Sequence, residues 1–189
     1  MDQREEAARI YWQAFGGKLS RVMGPDARAL AFLNRGLRPD HCFAAMDWQG
    51  RLVGLAGYKS VQGSFSGGTR SDLRRAYGRF GSAWRAGLLR LLSNEVDNER
   101  FLIDGIAVSP AARGKGIGTA LINALCDEAL RRGYREARLE VIDGNPRARA
   151  LYERQGFVAT HTDRLGLLRY AFGFDAATTM IRVLGQPDI

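Results

Sequence analysis

Between residues 113 and 119 the chain reads Arg113-Gly114-Lys115-Gly116-Ile117-Gly118-Thr119, three glycines separated by single residues and accompanied by two cations. Glycine lets neighbouring backbone N–H groups converge on one point, and a helix starting there adds positive potential, a combination that suits a phosphate. The same glycines would also serve a tight turn that needs positive φ, and one cluster alone does not separate the two readings. Spacing does separate the phosphates. A magnesium-nucleotide loop needs GxxxxGK followed by Ser or Thr, whereas Lys115 is followed by Gly116. A dinucleotide fingerprint needs its glycines directly after a strand. Here Ser109-Pro110-Ala111-Ala112 intervenes, Thr119 takes the third glycine position, and Glu140, roughly where a ribose-binding acid would stand, falls inside a strand.

The surrounding pattern places this loop between a strand and a helix. Phe101 to Val108 is short, apolar and closed by Ser109-Pro110, which fits a central strand, and Ile117 to Arg132 repeats apolar residues at helical intervals. Ala137 to Asp143 reads as the next strand. Asn145-Pro146 then offers an N-cap and a proline at the first helical position, with the helix ending by Gly156. Upstream, residues 3 to 15 form an amphipathic helix expected to stop at Gly16-Gly17, and a second helix covers Asp26 to Gly36. Cys42 to Trp48 and Arg51 to Val61 read as a hairpin turning at Gln49-Gly50. The stretch from Gln62 to Arg100 is too long for a bare loop and should hold helices, Ala83 to Leu92 most clearly. Phe157 to Thr162 and Thr178 to Leu184 look like closing strands, while 163 to 177 suits either a strand or a short helix. The class is α/β or α+β: a mixed sheet flanked by helices, with a right-handed parallel β-α-β unit in the middle.

Two motifs in this order resemble the GNAT superfamily of acyl-CoA-dependent N-acyltransferases. Arg113-x-x-Gly116-x-Gly118 matches the family's Gln/Arg-x-x-Gly-x-Gly/Ala pattern at the start of a helix after a strand, led in by Ile106-Ala107-Val108-Ser109-Pro110. Asn145-Pro146-Arg147-Ala148 through Leu151-Tyr152-Glu153-Arg154-Gln155-Gly156-Phe157 resembles its second motif. The resemblance is specific from about Phe101 to Val158 and implies a GNAT-like, mostly antiparallel sheet of about six to seven strands in one domain over residues 1–189. The family normally opens with a strand before its first helix, whereas this sequence opens almost at once with the helix.

By that resemblance the co-substrate is acetyl-CoA, with no metal, and the acceptor is a primary amine of a small molecule or peptide. Arg113, Gly114, Lys115, Gly116, Ile117, Gly118 and Thr119 would hold the pyrophosphate. Backbone groups of Ile106, Ala107 and Val108 would bind pantetheine and polarise the thioester, because the family's strand splays from its neighbour there. Tyr152 stands where the family often places the tyrosine that protonates the departing sulfur, and a phenol can donate without being charged; a core-packing tyrosine is the alternative. Asn145 is a further cofactor contact, although its N-cap role alone explains it. Aminolysis also needs a neutral amine. Asp104, two residues before Ile106 and on the same side of a regular strand, is the acid in range, since Leu102 occupies the position of the family's glutamate. A carboxylate that bonds nearby backbone or pairs with an arginine accounts for Asp104 equally well.

Bulk properties bound the rest. The chain has 189 residues, 46% of them hydrophobic and 25% charged, with no apolar run near the roughly 18–20 residues that span a bilayer. Its first residues lack a signal-peptide profile, so a cytoplasmic protein with no membrane partner is expected. Cys42 and Cys126 lie far apart without a CxxC or Cys/His spacing, which points to reduced thiols. A net charge of +8 suits steering of a polyanionic cofactor. It also admits a nucleic-acid-binding domain, but no helix-turn-helix, zinc or aromatic-repeat signature supports one. A catalytically degenerate acetyl-CoA sensor is the other reading, since a loop that explains binding does not prove turnover. Residues 62 to 100, with Phe65, Tyr77, Phe80 and Trp84 among five arginines, either shape the acceptor pocket or cover the sheet. The C-terminal strands offer an edge that a second copy could pair.

Overall fold

A computed structural model describes residues 3–92 and 99–185. Its first helix, α1 (Gln3–Met23), does not stop at Gly16-Gly17. Each interior glycine costs roughly 1 kcal/mol of helix propensity, but the buried stripe of Tyr11, Phe15 and Leu19 continues into Val22 and Met23. Burying two such side chains returns about 1.5–3 kcal/mol each and outweighs the glycines. Trp12 lies over Gly16, where an added methyl would stand 3.0 Å from its ring. Helix α2 (Asp26–Gly36) has the expected limits and buries Ala29, Phe32 and Leu33.

The hairpin is β1 (Cys42–Met46) and β2 (Leu52–Ser60), paired antiparallel. Its turn is closed by the Asp47 carboxylate, which accepts the N–H groups of Gln49 and Arg51, both at 2.9 Å. After it, β3 (Gly63–Ser64) folds back on β2, and α3 (Arg70–Leu92) supplies the helix expected in this stretch, interrupted at Gly78, where φ is 73°. The remaining expectations between Leu92 and Glu99 fall outside the described residues.

Next come β4 (Phe101–Val108), α4 (Ile117–Arg131), β5 (Glu136–Ile142), α5 (Pro146–Arg154), β6 (Val158–Arg164), α6 (Arg169–Phe172) and β7 (Ala176–Val183). The undecided segment thus holds a 3-10 turn at Gly166–Leu168 and the short α6. The seven strands make one mixed, mostly antiparallel sheet in the order β1-β2-β4-β5-β7-β6, with β3 beside β2. Each face has its own core. α1, α2 and α3 pack on one face with Leu55, Phe65, Ala107, Phe172 and Phe174. On the other, α4 and α5 bury Phe101, Ile103, Leu139, Tyr152 and Met180. No helix among the described residues is long and apolar enough to cross a membrane.

Candidate active site

β4 pairs with β2 along nearly its whole length, but it meets parallel β5 at two positions, Phe101↔Ala137 and Leu102↔Arg138. Beyond them the strands part, because β5 is held on its other side by seven consecutive pairs with β7. The backbone facing the resulting gap follows from the ladder. Ser109 N–H donates to Val53 C=O at 2.9 Å, and the register runs Gly54↔Val108, Leu55↔Ala107, Ala56↔Ile106. Antiparallel alternation therefore turns Ala107 toward Leu55, and the N–H and C=O of Ile106 and Val108 toward the gap. Of the three backbone sites expected to meet the cofactor, Ala107 thus faces β2 and the other two face the gap. The Val108 carbonyl accepts from Arg113 Nε at 3.2 Å, which fixes the loop's first cation beside the strand end.

At the wide end of the gap the chain passes through a 3-10 turn, Pro110–Ala112, into the glycine loop. Gly114 and Gly116 both have φ of +77°, and a methyl on either would meet nothing within 4 Å. Glycine is required there by backbone conformation, and the open space leaves room for a ligand to approach the main chain. Gly116 is the N-cap of α4, a 15-residue helix whose unpaired N–H groups face the same space. Arg113, Gly114 and Lys115 are exposed, while Ile117, Gly118 and Thr119 are half-buried in the first turn. Gly118 has a packing role too: an added methyl would sit 3.1 Å from Leu151 Cδ2, so α4 and α5 touch beside Tyr152.

Tyr152 is buried in the core under α4 and α5, its ring 6.1 Å from that of Phe157. Among the described residues its hydroxyl has no hydrogen-bond partner, and burial pushes the phenol up to about 12. It is a neutral donor with its proton uncommitted. Asn145 caps α5 through Oδ1, which accepts Ala148 N–H at 3.2 Å, so the capping role is present in full.

Asp104 departs from the regular-strand expectation. The register jumps from Gly57↔Gly105 to Tyr58↔Ile103, leaving Asp104 as the extra residue of a β-bulge. Two successive residues then face α1. A methyl on Gly105 would lie 2.7 Å from Phe15 Cζ, and the Asp104 carboxylate reaches the Ser64–Ser66 turn. Its side chain is consequently on the opposite face from that of Ile106, which packs against the α4 core. Three donors converge on Asp104 Oδ2: Ser64 Oγ at 2.9 Å, Ser66 N–H at 2.9 Å and Ser66 Oγ at 2.7 Å. Those contacts occupy that oxygen.

Two adjoining cavities, of about 490 and 390 Å³, open at the C-terminal end of β5. Asp143 and Asp175 line both; Arg164 and Arg169 line the larger, Gly17 and Phe174 the smaller. None of the four charged residues stands out in sequence, since β6 and β7 must pair before they meet. In α3, Arg85 is a structural cation: its Nε donates to Val22 C=O at 2.6 Å and caps α1, and its guanidinium lies 4.2 Å from the centre of the Tyr77 ring.

A mixed sheet opened between two parallel strands, with a glycine loop and helix N-terminus at its mouth, is the framework of an acyl-group transferase. A family model described as Acetyltransferase (GNAT) family matches residues 4–157, and the chain belongs to that family. Streptothricin acetyltransferase of Streptomyces lavendulae is 43% identical over 60 residues, 32% of each chain. Thialysine N-epsilon-acetyltransferase of Mus musculus is 32% identical over 90 residues, 48% of this chain and 52% of that one. These matches span between a third and about half of the relatives' own length. The fold is shared with an N-acetyltransferase from Staphylococcus aureus Mu50 (TM-score 0.64, 16% identity, 95% of both chains). It is also shared with a GNAT family acetyltransferase from Elizabethkingia anophelis that has acetyl-CoA bound (TM-score 0.51, 14% identity, 76% and 75% covered).

Proposed function

We propose that this acetyltransferase moves the acetyl group of acetyl-CoA to a primary amine of a small molecule or peptide by direct attack in a ternary complex. The observation that carries the proposal is the gap between β4 and β5, bordered by the backbone of Ile106 and Val108 and ending at the Gly114–Gly116 loop. In this reading the converging N–H groups of residues 114–118 hold the pyrophosphate, with Arg113 and Lys115 adding charge. The pantetheine arm lies along β4, and a strand N–H polarises the thioester carbonyl. The neutral amine attacks that carbon, the C–N bond forms, and collapse of the oxyanion breaks the C–S bond. The amine proton leaves to solvent and the thiolate is protonated to coenzyme A.

Tyr152 is the donor to the departing sulfur. A thiol near 8.5 and a phenol near 12 differ by roughly three to four units, so complete proton transfer to the free thiolate is uphill. Its contribution is therefore a hydrogen bond that strengthens as charge accumulates on sulfur, with the proton finally supplied from water. Asp104, with Oδ2 occupied, acts by holding the bulge and the Ser64–Ser66 turn under the acceptor side of β4.

The test is release of free thiol from acetyl-CoA across a panel of amines, amino acids, polyamines, aminoglycosides and peptide N-termini. Acceptor-dependent thiol is expected. A rise in melting temperature with acetyl-CoA but no thiol from any amine would instead identify a cofactor-binding sensor. Salt-sensitive nucleic-acid binding with no thermal response to acetyl-CoA would replace both.

A further inference from the structure

The two cavities at the end of β5 have an uneven charge pattern for a protein of net charge +8. Asp143 follows β5 directly, and its N–H donates to Ala176 C=O at 3.0 Å; Asp175 precedes β7, and its C=O accepts Leu165 N–H at 2.9 Å. Backbone pairing therefore holds both aspartates at the end of β5, beyond the part of that strand that pairs with β4, where each lines both cavities. In the smaller cavity, between this edge and Gly17 of α1, they are the only charged lining residues described. In the larger cavity Arg164 and Arg169 face them, and Arg169 Nη1 already lies 3.7 Å from Asp175 Oδ1.

The chemistry of aminolysis restricts what these carboxylates can hold. An attacking amine must be neutral, and an ammonium beside two carboxylates keeps its proton. A cation seated at Asp143 and Asp175 is therefore not the nucleophile but a second, non-reacting group of the same acceptor. A bare polycation would meet Arg164, whose guanidinium has no partner among the described residues. A group bearing both an ammonium and a carboxylate satisfies both walls.

Resting on the transferase reading above, we propose that the acceptor carries a zwitterionic amino-acid headgroup. Its ammonium sits between Asp143 and Asp175 and its carboxylate at Arg164, so that a side-chain amine reaches the thioester. The substrate class is then a basic amino acid or a molecule ending in one.

The test compares acceptors that present the same terminal amine: L-lysine, cadaverine, which lacks the carboxylate, and Nα-acetyl-lysine, which lacks the α-ammonium, with spermidine as a polycation. Thiol release by the full chain should give lysine a kcat/KM at least tenfold above the other three. Asp143→Asn keeps the local bond from Gly144 N–H to residue 143, 2.9 Å in the wild type. It should raise KM for lysine at least tenfold with kcat within twofold and the melting temperature unchanged. Arg164→Gln should raise KM for lysine and lower it for cadaverine, whose second ammonium no longer meets a guanidinium. Equal or better use of cadaverine or spermidine, or an unchanged KM in Asp143→Asn, would overturn the headgroup while leaving the transferase intact. Thiol release from none of these amines, nor from the wider panel, despite a thermal response to acetyl-CoA would overturn the transferase reading and this inference with it.

Discussion

Tyr11 of the first helix and Asp104 of the central strand come together beside Ser66, whose hydroxyl and N–H both donate to Asp104 Oδ2 while the Asp104 charge acts on the buried Tyr11 phenol. Burial and the neighbouring carboxylate together push that phenol up, so Tyr11 stays neutral. The serines hold the 63–66 turn on the bulge, and Tyr11 packs α1 against that turn through the Phe65 ring, 5.8 Å away. Asp104→Asn and Ser66→Ala should each cost about 1–3 kcal/mol in chemical denaturation. Both should lower turnover while leaving the affinity for acetyl-CoA within about twofold, because the bulge is shared. Turnover lost in Asp104→Asn but intact in Ser66→Ala would make the carboxylate itself the proton acceptor, and unchanged turnover in Asp104→Asn would remove it from the mechanism.

For Tyr152 the expectation concerns both rate and pH. Tyr152→Phe should change stability by less than about 1 kcal/mol, since no hydrogen bond within the protein is lost. It should slow turnover at least tenfold with an acyl donor whose thiolate leaves poorly. A phenol raised to about 12 contributes stability that is present below its unfolded value near 10 and is lost as pH rises from there through about 12. The wild-type rate should accordingly show no alkaline limb from this residue below pH 10. A limb that lies below pH 10 and vanishes in Tyr152→Phe would contradict the burial described above.

Gly116→Ala places an L side chain at φ +77° in open space, a backbone cost of about 1–2 kcal/mol with no clash. Acetyl-CoA affinity, measured by calorimetry, should fall at least tenfold, because the loop relaxes away from the geometry in which its N–H groups converge. Gly118→Ala should fall less, its methyl meeting the mobile end of Leu151.

Far from this site, at the other end of the sheet, Asp40 is held down to about 2, chiefly by the hydrogen bonds it accepts from Arg38, with the His41 ring 3.2 Å from its carboxylate. A depressed carboxyl stabilises the fold above its unfolded value near 3.9, and that contribution is lost as pH falls toward 2. Asp40→Asn should therefore lower the melting temperature at pH 7 and flatten its dependence between pH 4 and 2. An unaltered acid profile would show that the Arg38 and His41 contacts do not persist in solution.

The loop from Arg113 to Gly118, its helix and the capped α5 were legible because their signals are local: glycine spacing, an apolar period, an Asn-Pro start. α1 ran past Gly16-Gly17 because tertiary burial of Val22 and Met23 overrides propensity. The bulge at Asp104 was not legible, since it is set by the register of β2, a strand some fifty residues away by sequence. The same holds for Asp143, Arg164 and Asp175, which become neighbours only after β5, β6 and β7 have paired.

The alternation along the end of β4 has a consequence for observing the cofactor without altering a single residue. Three consecutive amides point in turn to the gap, to β2 and to the gap again. In heavy water, NMR-resolved exchange should be fast at Ile106 and Val108 and slow at Ala107, whose amide is shielded by Leu55. Acetyl-CoA settling between the strands would slow the outer two and leave the middle one unmoved, so the strand carries its own reference signal for occupancy.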